Sequence, residues 1–318
     1  MSRSAAAALV PAGRTPPPAE AWLAKRVAYD LVVRLAGVAR DARGLGVHDH
    51  LSWPYEDRAD FCRHVVNFVS DGLALGLRCV YAGAGGFEAL KDDLSSLPGL
   101  EEKLDRGALI LNSLADLYEE GQPVDPDETL ATFAGATEEA IEHGYRGLRS
   151  AGDATALVRT PEQVAAFAAW EYRADRYMCG HPFSGMCGFD RTQVPMGATV
   201  ALACMHPNAP EGATPFRLYT PDSDADLALA GEIDLSIVHE FGSGLDRTGL
   251  EVSDEFLVDG TELEFVDHRG LLTIRDFARR SGAAVVLRTR SGLPGRLIEL
   301  LDLEGIRVER PTHLAATA

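Results

Sequence analysis

The chain has no apolar run approaching the roughly 18 residues needed to cross a bilayer. Its opening, Met1 to Pro18, lacks the continuous apolar centre of a signal peptide. Neither a membrane protein nor a secreted one is expected, and the expected location is the cytoplasm. Basic side chains are scarce, 30 against 48 acidic ones, for a formal charge of -18. Such a surface repels DNA and RNA, so no nucleic-acid partner is expected. The five cysteines, Cys62, Cys79, Cys179, Cys187 and Cys204, are odd in number and lie among apolar neighbours, as reduced core thiols do. Cys179 with His181, Cys187, and Cys204 with His206 include soft ligands, but no Cys-x-x-Cys knuckle accompanies them, so no metal is expected. Also missing are the Lys-Ser/Thr pair of a phosphate loop after Ala82-Gly83-Ala84-Gly85-Gly86, a Gly-x-Ser-x-Gly elbow, and carboxylates paired at a defined spacing. No catalytic residue and no cofactor is therefore expected.

A chain of 318 residues is long enough for about two domains. Residues 1–18, rich in Ala and Pro, read as a flexible tail, as do residues 313–318. Residues 19–43 have helical period, with Trp22, Val27, Leu31, Val32, Leu35 and Val38 on one face. That helix can pack on the next domain, or pair between subunits of a homodimer. From Gly44 onward helical and strand-like stretches alternate: a helix over Phe61 to Leu75, a strand over Leu77 to Tyr81, and a strand and turn from Ala108 to Tyr118. A helix from Pro126 to Gly144, a strand from Tyr145 to Ala151 and a helix from Pro161 through Tyr177 follow. This alternation predicts a layered α/β fold.

Farther on, Phe256 to Val258 and Leu263 to Val266 read as two short strand segments separated by Asp259-Gly260. Asp267-His268-Arg269-Gly270 then turns the chain into an amphipathic helix capped by Asp267 and ending near Gly282. Charge is polarised here: Glu211 to Asp267 carries fifteen acidic and two basic residues, whereas His268 to Arg310 carries nine arginines and five acids. A polarised small domain can steer a charged protein partner. Prolines 207, 210 and 215 with Gly212 mark residues 209–214 as a linker.

Two resemblances organise these segments. The His-x-Ser-x-x-Tyr-Glu at His50 to Glu56, the helix ending Asp71 to Gly76 before a Cys-Val-Tyr strand, Gly147-Leu148-Arg149, Glu171, the Cys187 to Asp190 strand and His206-Pro207 resemble the MEDS sensory domain. That resemblance spans residues 44–208 and implies a RecA-like α/β fold without a working phosphate loop, binding small hydrocarbon derivatives. In such a fold His50, Ser52, Tyr55, Cys187 and Asp190 are expected to meet at one end of the sheet, where α/β domains hold ligands. The family often has cysteine where Ser52 stands, so thiol sensing at that position is not carried over.

Residues 215–312 resemble the STAS domain of anti-sigma-factor antagonists. The Gly-Glu-hydrophobic-Asp box matches Gly231 to Asp234, and the apolar-Asp-Ser-Ser-Gly-Leu turn matches Val266 to Leu271. The resemblance implies a small α/β domain contacting an anti-sigma factor or another STAS protein through Glu232, Asp234, Asp267, His268, Arg269 and Gly270. Arg269 occupies the family's phosphoserine position, so no phosphorylation is expected. The expected whole is a two-domain cytoplasmic regulator coupling an unidentified small-molecule ligand to a protein partner. The alternatives are a nucleotide-binding or hydrolytic enzyme on the RecA-like half, and a scaffold assembling through its STAS half.

Overall fold

A computed structural model describes residues 34–311. They fall into two compact units, the second beginning at Thr214. In the first unit the elements are, in chain order, β1 (Gly37–Val38), β2 (His50–Tyr55), α1 (Arg58–Ala74), β3 (Arg78–Gly83), α2 (Phe87–Asp93), α3 (Leu100–Asp105) and β4 (Leu109–Ser113). There follow α4 (Leu114–Leu117), α5 (Pro126–Glu142), β5 (Leu148–Asp153), α6 (Pro161–Met178), β6 (Phe183–Asp190), α7 (Ala198–Ala203) and β7 (Asn208–Ala209). The strands form one seven-stranded sheet in the order β1-β7-β2-β6-β5-β3-β4, every pair parallel. Helical crossovers cover a parallel sheet on its faces, so its central strands are buried on both sides. This is the expected layered α/β architecture.

The two faces of this sheet differ. Leu51, Trp53 and Tyr55 of β2, Cys79 and Tyr81 of β3, Ala151 of β5 and Met186 of β6 pack with Phe61, Val65, Phe68 and Val69 of α1 in one continuous core. Strand side chains alternate, so the neighbours in sequence, His50 and Ser52, Ala82, Ser150 and Gly152, and Gly185 and Cys187, point the other way. That face carries small residues and is roofed by α6, whose start is fixed by the Thr160–Gln163 capping box and Pro161 at its first turn.

Arg149 pins the packed face. Its side chain is fully buried and donates from Nε to Ser184 Oγ (3.0 Å), from Nη1 to the Phe68 carbonyl (3.1 Å) and from Nη2 to the carbonyls of Leu45 (2.7 Å) and Gly46 (2.6 Å). The guanidinium also lies 4.3 Å from the Phe68 ring centroid. Gly72 on α1 makes room for it, since a Cβ there would stand 2.5 Å from Arg149 Cδ.

Two expectations need correction. The helix expected over residues 19–43 lies outside the described residues as far as 33, and from Arg34 onward the chain is not helical. Gly37–Val38 instead pairs with Asn208–Ala209 as an edge strand, so the sheet, not a helix stripe, takes up the backbone hydrogen bonds. Leu35 and Val38, assigned to an apolar helix face, are 47% and 57% exposed. The expected linker starts one residue too early as well, because Ala209 belongs to β7.

The second unit comprises β8 (Phe216–Tyr219), β9 (Leu227–Ile233), α8 (Val238–Thr248), β10 (Glu255–Val266), α9 (His268–Arg279), β11 (Ala284–Arg288), α10 (Leu293–Leu300) and β12 (Ile306–Glu309). The sheet order is β12-β11-β10-β9-β8, parallel except for β8 against β9. The two segments expected around Asp259-Gly260 are one strand, β10. Irregularities between Asp259 and Glu262 and between Leu263 and Phe265 absorb the polar step without ending the pairing to β9. Asp267 caps α9 as expected, its Oδ1 accepting from the amides of Arg269 (2.8 Å) and Gly270 (2.9 Å). Gly231 adopts φ +84°, and a Cβ there would lie 2.2 Å from the Pro215 carbonyl oxygen, so no other residue fits this close approach.

Candidate functional site

The small-residue face of the first sheet borders a cavity of about 60 Å³. Its floor is Ala82, Ser150, Gly152, Gly185 and Cys187, and its roof includes Phe167, Trp170 and Ala174 of α6, Leu117 of α4 and Phe133 of α5. Gly185 matters sterically: a Cβ there would meet Met178 Cε at 2.8 Å and His50 Cδ2 at 3.4 Å. The lining is mostly apolar; its polar groups are His50, Glu171 and Cys187 at one end, with Tyr118, Ser150 and Asp153 elsewhere on the wall. Apolar walls with a few convergent polar groups are the ordinary makeup of a small-molecule site.

Four elements build that polar end. His50 opens β2, Glu171 and Asp175 lie one turn apart on α6, Cys187 is in β6 beside Ser52, and His206 precedes β7. His50 Nε2 lies 3.1 Å from Glu171 Oε2 and its Nδ1 3.4 Å from Asp175 Oδ1, while His206 Nε2 lies 3.4 Å from Glu171 Oε2. The two imidazole rings are tilted against each other with centroids 4.0 Å apart. Arg34 pairs with Asp175 and donates from Nε to the His48 carbonyl at 2.9 Å. His48 Nδ1 is 2.8 Å from the Met178 carbonyl, and Asn208 Nδ2 donates to the His50 carbonyl at 3.1 Å, so the loop into β2 is held from both sides.

The electrostatics follow from burial and these pairings. Burial would raise the Glu171 carboxyl, but the His206 and His50 rings outweigh it and hold it at about 2. Burial opposes ionisation of Asp175 too, yet Arg34 and His50 keep it well below the usual carboxylate range. Burial disfavours a charged His50, but hydrogen bonds to Asp175 and Glu171 raise it; His206 is lowered by burial and by His50 beside it. Burial and the neighbouring Glu171 charge push the Cys187 thiol well above its ordinary value.

Of the residues singled out from sequence, His50 and Cys187 line the cavity, whereas Ser52, Tyr55 and Asp190 do not. His50 and Tyr55 sit at opposite ends of β2, about 16 Å apart at the usual rise per strand residue, so they do not share one end of the sheet. Tyr55 donates to Asp153 Oδ2 (2.9 Å), which also pairs with Arg58 (2.7 Å), and Arg58 pairs with Asp93 (2.6 Å). Asp190, paired in register with Tyr55, accepts from Thr192 and Gln193. Ser52 Oγ is buried without a hydrogen-bond partner. Sequence reasoning left Asp175 out entirely; its spacing of four residues from Glu171 on a helix was the available signal.

In the second unit the two boxes converge. Ile233 pairs with Val266, and the Asp267 amide donates to the Ile233 carbonyl at 3.0 Å, so Glu232 and Asp234 end beside Asp267, His268, Arg269 and Gly270. Glu232, Asp234, His268 and Arg269 are exposed, and Gly270 is buried against Val266 and Ile233. Arg269 also borders a groove between α8 and α9, with His239, Asp246, Leu272 and Asp276.

The first unit is thus an α/β domain with one face packed solid and the other bordering a small, mostly apolar chamber. The family model described as MEDS, the MEthanogen/methylotroph, DcmR Sensory domain, matches residues 49–207, half of the chain, and the chain belongs to that family. Membership gives it a sensory, signalling role. Among solved structures, the flagellar accessory protein FlaH from Methanocaldococcus jannaschii is similar at 11% identity over 57% of this chain and 75% of its own, with a TM-score of 0.32, too loose a likeness to carry an argument. Comparison with curated proteins found no match. No helix among the described residues is long and apolar enough to cross a membrane.

Proposed function

We propose that the chain is a cytoplasmic signalling regulator in which the MEDS domain holds a small, largely apolar molecule and the C-terminal unit, STAS-like, passes the signal to a protein partner. The observation that carries the reading is the cavity of about 60 Å³ with its apolar walls and polar end. One water molecule needs about 10–15 Å³ of such space. The space therefore suits a molecule of a few heavy atoms, and the side chains at its polar end can orient one hydroxyl, carbonyl or similar group. The domain acts by binding and not by catalysis.

For the second unit, the support is the juxtaposition of the Gly231–Asp234 box with the Asp267–Gly270 turn on one exposed edge. The partner is an anti-sigma factor or another STAS protein, and the output is control of a sigma factor. A phosphoserine would place about -1.5 to -2 charges at the start of a helix. Arg269 places a permanent positive charge there instead, so the signal comes from the sensory ligand and not from a kinase. The test is capture of partners from the native cytoplasm by the full chain and by Arg269→Glu, with mass spectrometry of the bait. Recovery of an anti-sigma factor or STAS protein by the wild type, its loss in the variant, and no phosphate within Asp267 to Thr273 is the expected result. Stoichiometric phosphate on that segment, or equal capture by Arg269→Glu, refutes this part.

A further inference from the structure

The polar end of the cavity carries a feature that a sensory pocket does not require. The ligand atoms of His50, Glu171, Cys187 and His206 all lie within 4.8 Å of one another. Ligands about 2.1 Å from a tetrahedral ion stand about 3.4 Å apart. The separations of 3.1 Å for His50 to Glu171 and 3.4 Å for His206 to Glu171 are of that size. We infer that His50 Nε2, His206 Nε2, the Cys187 thiolate and the Glu171 carboxylate bind a divalent cation of the zinc class.

The hydrogen bonds around the cluster supply the second, independent argument. His206 Nδ1 lies 3.0 Å from the Leu202 carbonyl, an acceptor only, so Nδ1 carries the hydrogen and Nε2 is left with a lone pair. That lone pair faces the Glu171 carboxylate 3.4 Å away without good hydrogen-bond geometry, and the Cys187 thiol lies against the same carboxylate. A lone pair turned toward a carboxylate repels it unless a cation or proton lies between. His50 is caught between two carboxylates, and as a neutral ring it can donate to only one of them. With Nδ1–H toward Asp175, its Nε2 lone pair also points at Glu171.

A single divalent ion resolves both conflicts. It takes the two lone pairs, the carboxylate and the thiolate, and the two anionic ligands neutralise its charge. Asp175, neutralised by Arg34, then orients His50, and the Leu202 carbonyl orients His206. A second set of acceptors on the far ring nitrogens is the usual companion of zinc-bound histidines. Two imidazoles, a carboxylate and a thiolate form a borderline donor set that suits zinc better than calcium or magnesium. The competing arrangement is metal-free, with His50 as an imidazolium bridging Glu171 and Asp175.

The test needs no sensory ligand and so stands apart from the sensing proposal. The full chain, purified without chelator, is assayed for metal, stripped, and titrated with zinc and with cobalt. The expected result is about one zinc per chain and, with cobalt, tetrahedral visible bands accompanied by a thiolate-to-cobalt charge-transfer band. In Cys187→Ser the charge-transfer band disappears while cobalt still binds; in Cys204→Ser it stays. Asp175→Asn, which leaves all four ligands in place, weakens zinc binding by about 10- to 100-fold. If a variant fails to fold, the wild-type titration alone decides. No stoichiometric zinc and no charge-transfer band in the folded wild type, with an imidazolium pattern for His50 in the nitrogen NMR spectrum, overturns the inference. So does a charge-transfer band that survives in folded Cys187→Ser.

Discussion

Replacing Arg149 by methionine removes the side chain that ties the loop before β2 to α1 and β6, while keeping much of its length. Three backbone carbonyls, Leu45, Gly46 and Phe68, and the Ser184 hydroxyl lose their donor. A buried acceptor left unpaired costs about 1–3 kcal/mol, so the gross loss over four acceptors is about 4–12 kcal/mol. Part is returned, because the guanidinium is buried without a carboxylate against it and burial lowers its pKa from the usual value. The net expectation is destabilisation by about 3–5 kcal/mol. At about 2–4 °C per kcal/mol for a domain of this size, the melting transition of the first unit should fall by about 6–20 °C. Lysine should not rescue it, since an ammonium cannot reach four acceptors in the guanidinium's fork geometry. Urea and thermal unfolding followed by circular dichroism measure the effect. A loss below about 1 kcal/mol would show that the carbonyls find other donors and that Arg149 does not hold the loop leading to His50.

Gly231→Ala should destabilise the second unit by more than about 2 kcal/mol, because φ +84° strains any side chain and the new Cβ meets the Pro215 carbonyl; denaturant titration of the full chain checks it, and an unchanged midpoint contradicts it. The Cys62 thiol is pushed up to about 12 by burial and by Asp93. A raised thiol pKa keeps the neutral form dominant, so alkylation by iodoacetamide at pH 8 should be roughly two orders of magnitude slower than for a free thiol and should accelerate as pH rises toward 12. A rate like that of free cysteine would refute the assignment. Asp267→Ala should cost about 1 kcal/mol through the lost cap of α9, measured by the same unfolding titration; a change below about 0.3 kcal/mol would mean that water replaces the cap.

The sequence was most legible where local chemistry decides the structure. The Pro161 start and apolar period of α6 located it to within a residue, and Asp267 announced the cap of α9. It was least legible where tertiary pairing overrides period. Leu35 and Val38 read as a helix face, yet Gly37–Val38 is drawn into the sheet by Asn208 and Ala209. Asp259-Gly260 read as a break, yet bulges carry β10 past it. For the site, His50 and Cys187 stood out as residue types, but His50 and Glu171 are 121 positions apart and no spacing rule joins them. Grouping His50 with Tyr55 followed their closeness in sequence, which an extended strand turns into distance. The cavity floor was in principle readable as alternating small residues on β5 and β6, but only once the order of strands was known.

The proposed sensory role requires that the first unit recognise a small molecule in the chamber over Gly152, Gly185 and Cys187. Gly152 faces that chamber with no atom nearer than the Ala82 carbonyl oxygen, 3.7 Å from where its Cβ would be. The Cβ of Gly152→Val therefore stands clear and its methyl groups extend into the chamber; in a central strand the change should leave stability unchanged or raise it by up to about 1 kcal/mol. The decisive measurement is the ligand-induced shift in melting temperature for a panel of one- to four-carbon alcohols, aldehydes and halides, wild type against Gly152→Val. A saturable shift for one chemical class in the wild type, absent from an equally stable Gly152→Val, is the predicted result. An identical shift in both proteins, or none in the wild type across the panel, contradicts the claim.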